Sequence, residues 1–295
     1  MSITDDVSGG ASVPAGRRGV GGAAGIVGGT DGIPAAAGLA TGVTMPGMPP
    51  TDIGNPAYFH KVVDCQWACP AHTPVPEYIR LIAAGRYTDA YMVNWYSNVF
   101  PGILGRTCDR PCEPACRRGR VEEQPVAICR LKRVAADNKG DIRARLPRAG
   151  ERNGKRVALI GAGPASLSVA RDLAPLGYDL VLFDAERRGG GMIRSQIPRF
   201  RLPESVIDEE VGYITGMGGI ETRFGKRVDS LKAVLDEGFD AVFIGTGAPR
   251  GRDLQIPGRR EAAANIHIGI DWLSSVSFGH IDKIGLRVIV LGGGN

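Results

Sequence analysis

The sequence predicts an α/β chain in which a small helical domain precedes a doubly wound parallel sheet, the sheet being incomplete at its C-terminal end. Three observations predict it. An apolar run at 156–160 enters Gly161-Ala162-Gly163-Pro164, and a helical stretch and a second apolar run follow. Strand, glycine turn, helix and strand in that order form a βαβ unit, and such units build parallel sheets. All six cysteines lie between Cys65 and Cys129, with none in the glycine-turn half. The last residues, 288–295, repeat the opening of the first unit, an apolar run entering Gly292, Gly293 and Gly294. The chain is therefore expected to be a fragment that ends one strand into a second unit.

Residues 1–50 are rich in Gly, Ala and Pro and poor in bulky side chains, so they are expected to form a disordered low-complexity leader that cannot offset its ordering entropy. Residues 51–150 read as a helical domain. Apolar residues at helical spacing over 76–84 end at Gly85, a usual stop signal. Further helices are expected at 87–96 and 126–138, with cysteine-bearing turns at 68–70 and 105–113. So small a domain has little core of its own, and a metal centre would contribute stability.

Residues 151–285 carry the sheet, with strands at 157–160 and 180–183, a helix at 164–176 and a buried strand at 240–244 running into Gly245-Thr246-Gly247. Residues 286–295 supply the first strand of the second unit, at 287–291. No run approaches the ~18 apolar residues of a membrane span, and no charged flank leads an apolar core at the N-terminus; a cytoplasmic location is expected. The formal net charge is +5, but the basic residues are scattered, which speaks against nucleic-acid binding.

Gly161-Ala162-Gly163-Pro164-Ala165-Ser166 fits G-x-G-x-x-G with serine in the third place. The first two glycines permit a tight turn and close approach of a pyrophosphate to a helix N-terminus, where free N–H groups and the helix dipole favour an anion. Asp184 lies 23 residues after Gly161, near the offset of an acid that binds ribose hydroxyls. A strand-to-helix turn without a ligand is the alternative. Gly189, Gly190 and Gly191 remove side chains where a cofactor could approach, although a surface turn would use them equally.

The cysteines read C-x3-C-P at Cys65, Cys69 and Pro70, then C-x3-C-x3-C at Cys108, Cys112 and Cys116, then Cys129. Soft thiolates suit iron–sulfur clusters. Structural zinc more often uses C-x2-C knuckles, so the spacing leans toward iron, with zinc and unliganded thiols as alternatives.

Several segments carry a family resemblance: Gly189-Gly190-Gly191-Met192-Ile193-Arg194, Ile197-Pro198-Arg199-Phe200-Arg201-Leu202-Pro203, the stretch 105–116, and Pro125-Val126-Ala127-Ile128. Over residues 57–295 the sequence resembles the flavoprotein family of the glutamate synthase small subunit and the N-terminal half of dihydropyrimidine dehydrogenase. The resemblance implies a Rossmann-like FAD domain, with FAD bound by Gly161, Ala162, Gly163, Pro164, Ala165, Ser166, Asp184, Gly190, Gly191, Met192, Arg194, Thr246 and Gly247. Gly245 departs from the alanine of the family's A-T-G turn. Gly292 and Gly294 would open the NAD(P)H site.

The same resemblance implies [4Fe–4S] ligation by Cys69, Cys108 and Cys112 in one cluster and by Cys65 and Cys116 in another. Relatives' two upstream cysteines fall on Ala57 and His60, so one cluster is expected and a second would need a ligand such as His60. The fourth ligand of the first cluster, a glutamine in dihydropyrimidine dehydrogenase, falls on Lys132, and Cys129 one turn earlier is the substitute. The activity implied is electron transfer from NAD(P)H through FAD and cluster to a partner catalytic subunit, as in glutamate synthase, dihydropyrimidine dehydrogenase or a formate dehydrogenase complex. No side chain need act as acid, base or nucleophile. The competing readings are a non-enzymatic docking subunit held by cluster or zinc, and an inert truncated product.

Overall fold

Strand β1 (Arg156–Ile160) is buried at four successive positions, so it needs cover on both faces and a neighbour on both edges. The computed structural model, which describes residues 64–292, supplies both. β2 (Asp179–Asp184), β3 (Ile220–Phe224) and β4 (Ala241–Ile244) join β1 in one parallel sheet of order β3-β2-β1-β4. Val157 pairs with Leu180 on one side and Ala241 on the other. The leader, Ala57, His60 and Gly294 lie outside the described residues.

Alternate side chains feed two cores. Val157, Leu159, Leu180 and Leu182 pack with Leu167 and Ala170 of α6 (Pro164–Leu173) and Ile207, Val211 and Ile214 of α8 (Glu204–Thr215). Ala158, Ile160, Val181 and Phe183 point the other way, toward Val234 of α9 (Leu231–Asp236) and Phe239.

The helical domain begins with α1 (Asp64–Ala68) and α2 (Val75–Ala83), the latter ending where Gly85 turns with φ +72°. It continues through α3 (Tyr87–Asn98), α4 (Pro101–Thr107) and α5 (Ile128–Asp137). Val75, Tyr78, Leu81, Ala90, Cys112, Ile128 and Ala135 form its own small core. Tyr91, Trp95 and Ile103, by contrast, belong to the core of the sheet. Helix ends facing the sheet domain are satisfied from that domain. Glu210 of α8, fully buried, accepts the N–H of Gly102 at 2.6 Å, the N–H of Ile103 at 3.0 Å and the hydroxyl of Tyr91 at 2.7 Å. Arg171 of α6 donates to the carbonyls of Trp95 (2.8 Å) and Tyr96 (3.2 Å) at the end of α3. Each charge sits at the helix pole that favours it.

Four expectations need correction. Residue 105 is not in a turn: Gly105 lies inside α4 because a Cβ there would stand 2.8 Å from the Arg133 backbone, and only glycine lets α4 meet α5. The helix from Pro164 stops as α-helix at Leu173 and finishes as a 3-10 turn, Ala174–Leu176, since Pro175 has no N–H to continue the ladder. β4 is half-exposed rather than buried, because no described strand pairs with its outer edge. Residues 287–291 form no strand; Val288, Ile289, Val290 and Leu291 are exposed, and among the described residues nothing hydrogen-bonds beside them as a parallel ladder requires. The helices α1, α7 (Met192–Ser195), α8, α9 and α10 (Gly269–Ser277) were not anticipated.

Burial pushes the Glu210 carboxyl up from its ordinary 4.5 to about 7, against the opposing pull of the two amides and Tyr91. The folded state then holds this proton more tightly than the unfolded chain, so stability falls as pH rises from about 4.5 through about 7. Urea unfolding of wild type and Glu210→Gln at pH 4.5 and 7.5 checks this. The stability difference should move in the variant's favour by up to about 3 kcal/mol between the two pH values. A constant difference would mean that the carboxylate stays ionised throughout.

Candidate functional site

In a parallel sheet all carboxyl ends lie along one edge, where doubly wound folds bind ligands. Here the exits of β1, β2 and β4 meet. Gly161 leaves β1 with φ +94° and donates to the Phe183 carbonyl at 2.8 Å; a Cβ on it would stand 2.6 Å from the Gly245 carbonyl oxygen. Ala162 is buried, donating to Asp184 Oδ2 at 2.6 Å and accepting from the Gly190 N–H at 2.8 Å. Asp184 Oδ1 accepts the Glu186 N–H at 2.8 Å. The acid at the end of β2 therefore braces the glycine loop itself, and each of its oxygens keeps a second lone pair.

The first backbone bond of α6 runs from Leu167 N–H to the Gly163 carbonyl at 3.0 Å, so the N–H groups of Ala165 and Ser166 precede the ladder. A Cβ at Gly163 would meet nothing nearer than 3.9 Å. The loop is thus open on the side of these N–H groups. The second glycine turn closes onto the first: a Cβ at Gly191 (φ +52°) would stand 2.8 Å from Gly163 Cα. Met192, which opens α7, is exposed, as are Thr246 and Gly247 at the exit of β4. Gly292 is exposed, away from any paired strand.

Arg194 lies beneath this turn. It is buried, with Nε donating to the Gly189 carbonyl at 2.8 Å and its two terminal nitrogens bonding Glu204 (2.9 Å) and Asp208 (2.7 Å) of α8. Its hydrogen bonds thus hold the shape of the turn.

Gly245, the departure from the family's A-T-G turn, meets Ser166 of the first glycine loop in space. Ser166 is fully buried and its Oγ has no hydrogen-bond partner among the described residues. A Cβ at Gly245 would lie 2.2 Å from that oxygen. The serine hydroxyl occupies the space that an alanine at 245 would need. Open backbone over a helix N-terminus, three converging glycines and a braced acid fit a dinucleotide pyrophosphate and ribose.

The thiols fall into two groups. Cys108 and Cys129 share a hydrogen bond that holds Cys108 down at about 6 and pushes Cys129 up. Burial raises Cys112 to about 11, with Cys108 and Cys69 adding their charge. Cys108 Sγ also accepts the Arg110 N–H at 3.3 Å, and Cys129 Sγ lies 3.3 Å from the Leu104 carbonyl oxygen. Buried Tyr78 feels Cys112, Cys129, Cys65 and Cys69 together. The second group is Cys65 and Cys116, which line an apolar cavity of about 250 Å³ with Val75, Ile79, Val126 and Ile128. Burial first, and Cys116 next, raise Cys65.

Among the described residues no three His, Cys, Asp or Glu side chains converge on one ion. Mononuclear zinc needs its sulfurs about 2.3 Å from a single point. In a cubane cluster each thiolate binds its own iron, and a neighbouring set of four separate thiols fits that chemistry. Sequence reasoning missed Glu210: it sits 108 residues from Gly102, and nothing local marks it as a partner of α4. It also missed Glu113, whose Oε1 accepts the Cys129 N–H at 3.0 Å.

The Ser166–Gly245 pairing gives a double-mutant test. Gly245→Ala should destabilise the fold by about 1–3 kcal/mol through overpacking and lower flavin content. Adding Ser166→Gly should recover most of that loss, a coupling on the order of 1 kcal/mol or more. Thermal unfolding and flavin absorbance per chain read both effects, and strict additivity of the two substitutions would refute the pairing.

Comparison with known proteins agrees with this geometry. Residues 59–143 match the family described as dihydropyrimidine dehydrogenase domain II, 4Fe-4S cluster, and residues 155–295 match pyridine nucleotide-disulphide oxidoreductase. The chain is 36% identical over 257 residues to the NADPH-Fe(3+) oxidoreductase subunit beta of Geobacter sulfurreducens, covering 83% of this chain and 38% of that protein. It is 36% identical over 257 residues to the NADP(+)-dependent formate dehydrogenase subunit beta of Moorella thermoacetica, covering 78% and 36%. With the glutamate synthase [NADPH] small chain of Bacillus subtilis the identity is 32% over 241 residues, covering 77% and 48%. The chain thus spans well under two thirds of the length of these relatives. On the paired domains, in this order and on these residues, the chain belongs to the family of FAD- and [4Fe–4S]-dependent oxidoreductases typified by the glutamate synthase small subunit and dihydropyrimidine dehydrogenase.

Proposed function

We propose that this chain forms the cofactor-bearing part of a cytoplasmic electron-transfer oxidoreductase that moves electrons between NAD(P)H, FAD, one [4Fe–4S] cluster and a partner catalytic subunit. The observation that carries this reading is the shared core. α4 is anchored at its start by Glu210 of the sheet domain and runs directly into Cys108. The glycine cradle and the thiol group are therefore fixed relative to one another by buried contacts, as electron transfer between two centres requires. The relatives are themselves named as subunits or chains of larger oxidoreductases.

FAD, when bound, would supply a centre that takes two electrons as a hydride and gives them up singly, and an iron–sulfur cluster would supply a one-electron carrier. The protein's part is to bind and orient. Gly163 leaves room for the pyrophosphate, Gly161 and Gly191 let the loop close against Gly245 and Gly163, Asp184 offers its remaining lone pairs to a ribose, and Arg194 holds the shape of the second turn. Cys69, Cys108, Cys112 and Cys129 would ligate the cluster. Cys65 and Cys116 lack two further thiols among the described residues.

Iron, acid-labile sulfide and zinc per chain after anaerobic purification test this reading, with about four irons and matching sulfide expected. Stoichiometric zinc without sulfide would overturn it. Cys112→Ser should lose iron and keep flavin, and Gly163→Val should do the reverse. If either variant lost both cofactors, the two sites would not be separable units.

A further inference from the structure

Lys132 is a buried cation with no ligand role in the reading above. It lies on α5, one turn after Cys129, and both residues are buried on the same side of the helix. The packing around it is tight, since α4 and α5 meet at Gly105, where even a Cβ would strike the Arg133 backbone. Among the described residues no carboxylate forms an ion pair with Lys132. The nearby Glu113 is engaged by the Cys129 N–H at 3.0 Å and by Arg110 at 4.0 Å. Its ammonium lies instead within electrostatic reach of three sulfurs, those of Cys108, Cys112 and Cys129. An ammonium removed from water and left without a carboxylate is costly unless some other negative charge answers it. Four thiolates around a cluster are such a charge.

We infer that Lys132 is the built-in counter-charge of the cysteine group, a positioning and tuning residue that makes the cluster held there easier to reduce. This rests on the iron–sulfur reading above. The physical reason is direct: each electron added to a thiolate-ligated cluster increases its negative charge, and a fixed cation nearby in a low-dielectric interior favours the more negative state. Lys132 does this without bonding to iron, for an ammonium has no lone pair to give.

The experiment uses the anaerobically purified chain with Lys132→Met, Lys132→Gln and Lys132→Arg, measuring iron and sulfide content and then the cluster midpoint potential by EPR-monitored redox titration. The two neutral variants should be about tenfold harder to reduce, a shift of about 59 mV to lower potential for one electron, with Lys132→Arg close to wild type. Loss of iron in both neutral variants with retention in Lys132→Arg supports the same conclusion through cluster stability. An unchanged potential in a neutral variant that keeps its iron would overturn the inference, as would loss of iron from all three variants, arginine included. Wild type without iron or sulfide would sink the iron–sulfur reading itself, and that outcome is separate because it appears before any substitution is made.

Discussion

Glu210 is a carboxylate taken wholly out of water, and the cost of that burial is met by three donors that belong to the other domain. Two of them are the N–H groups at the start of α4, which would otherwise be unsatisfied inside the protein. Arg171 performs the complementary task for the carbonyls at the end of α3. The break between α3 and α4 is thus bracketed by an acid and a base from the sheet domain. Removing either would leave buried backbone groups without partners, which is the costly case for polar groups in a core. Tyr91, Trp95 and Ile103 pack into the same region, so the hydrophobic and polar parts of the interface depend on each other.

This arrangement explains how so small a helical domain is held in place. Its private core contains few large side chains, and part of its hydrophobic surface is spent on the sheet. The thiol-bearing loops then hang from helices whose ends are fixed at a distance. Cys108 follows α4 directly, and Cys129 sits on α5 against it. The glycine loops are held in the same manner, by Asp184 on one side and Arg194 on the other. Both candidate sites are framed by charged side chains that serve the backbone.

Much of this was legible in the sequence, for reasons that differ by element. β1, β2 and the turn at Gly161 were readable because apolar runs and glycines are local signals. Gly105 was misread because its glycine answers a neighbouring helix rather than a turn, and no local pattern distinguishes the two. The strand expected at 287–291 fails for a similar reason: a parallel strand is defined by its neighbours. Glu210 and Arg171 were invisible because their partners lie far away in the chain. Arg194 was expected beside the cofactor, and its guanidinium is turned toward Glu204 and Asp208 of α8, partners that no local pattern in the sequence marks.

The interlock of Ser166 with Gly245 constrains how such a pair can arise. An alanine at 245 and a serine at 166 cannot share the same space, so a chain carrying both would be overpacked at the floor of its nucleotide loop. A chain carrying glycine at both positions would have only a small void there, and voids of one methyl are tolerated better than collisions with backbone. Serine at 166 therefore goes with glycine at 245, as it does in this chain. Grafting this serine alone into a relative that retains the alanine would place a side chain where the loop has no room for it.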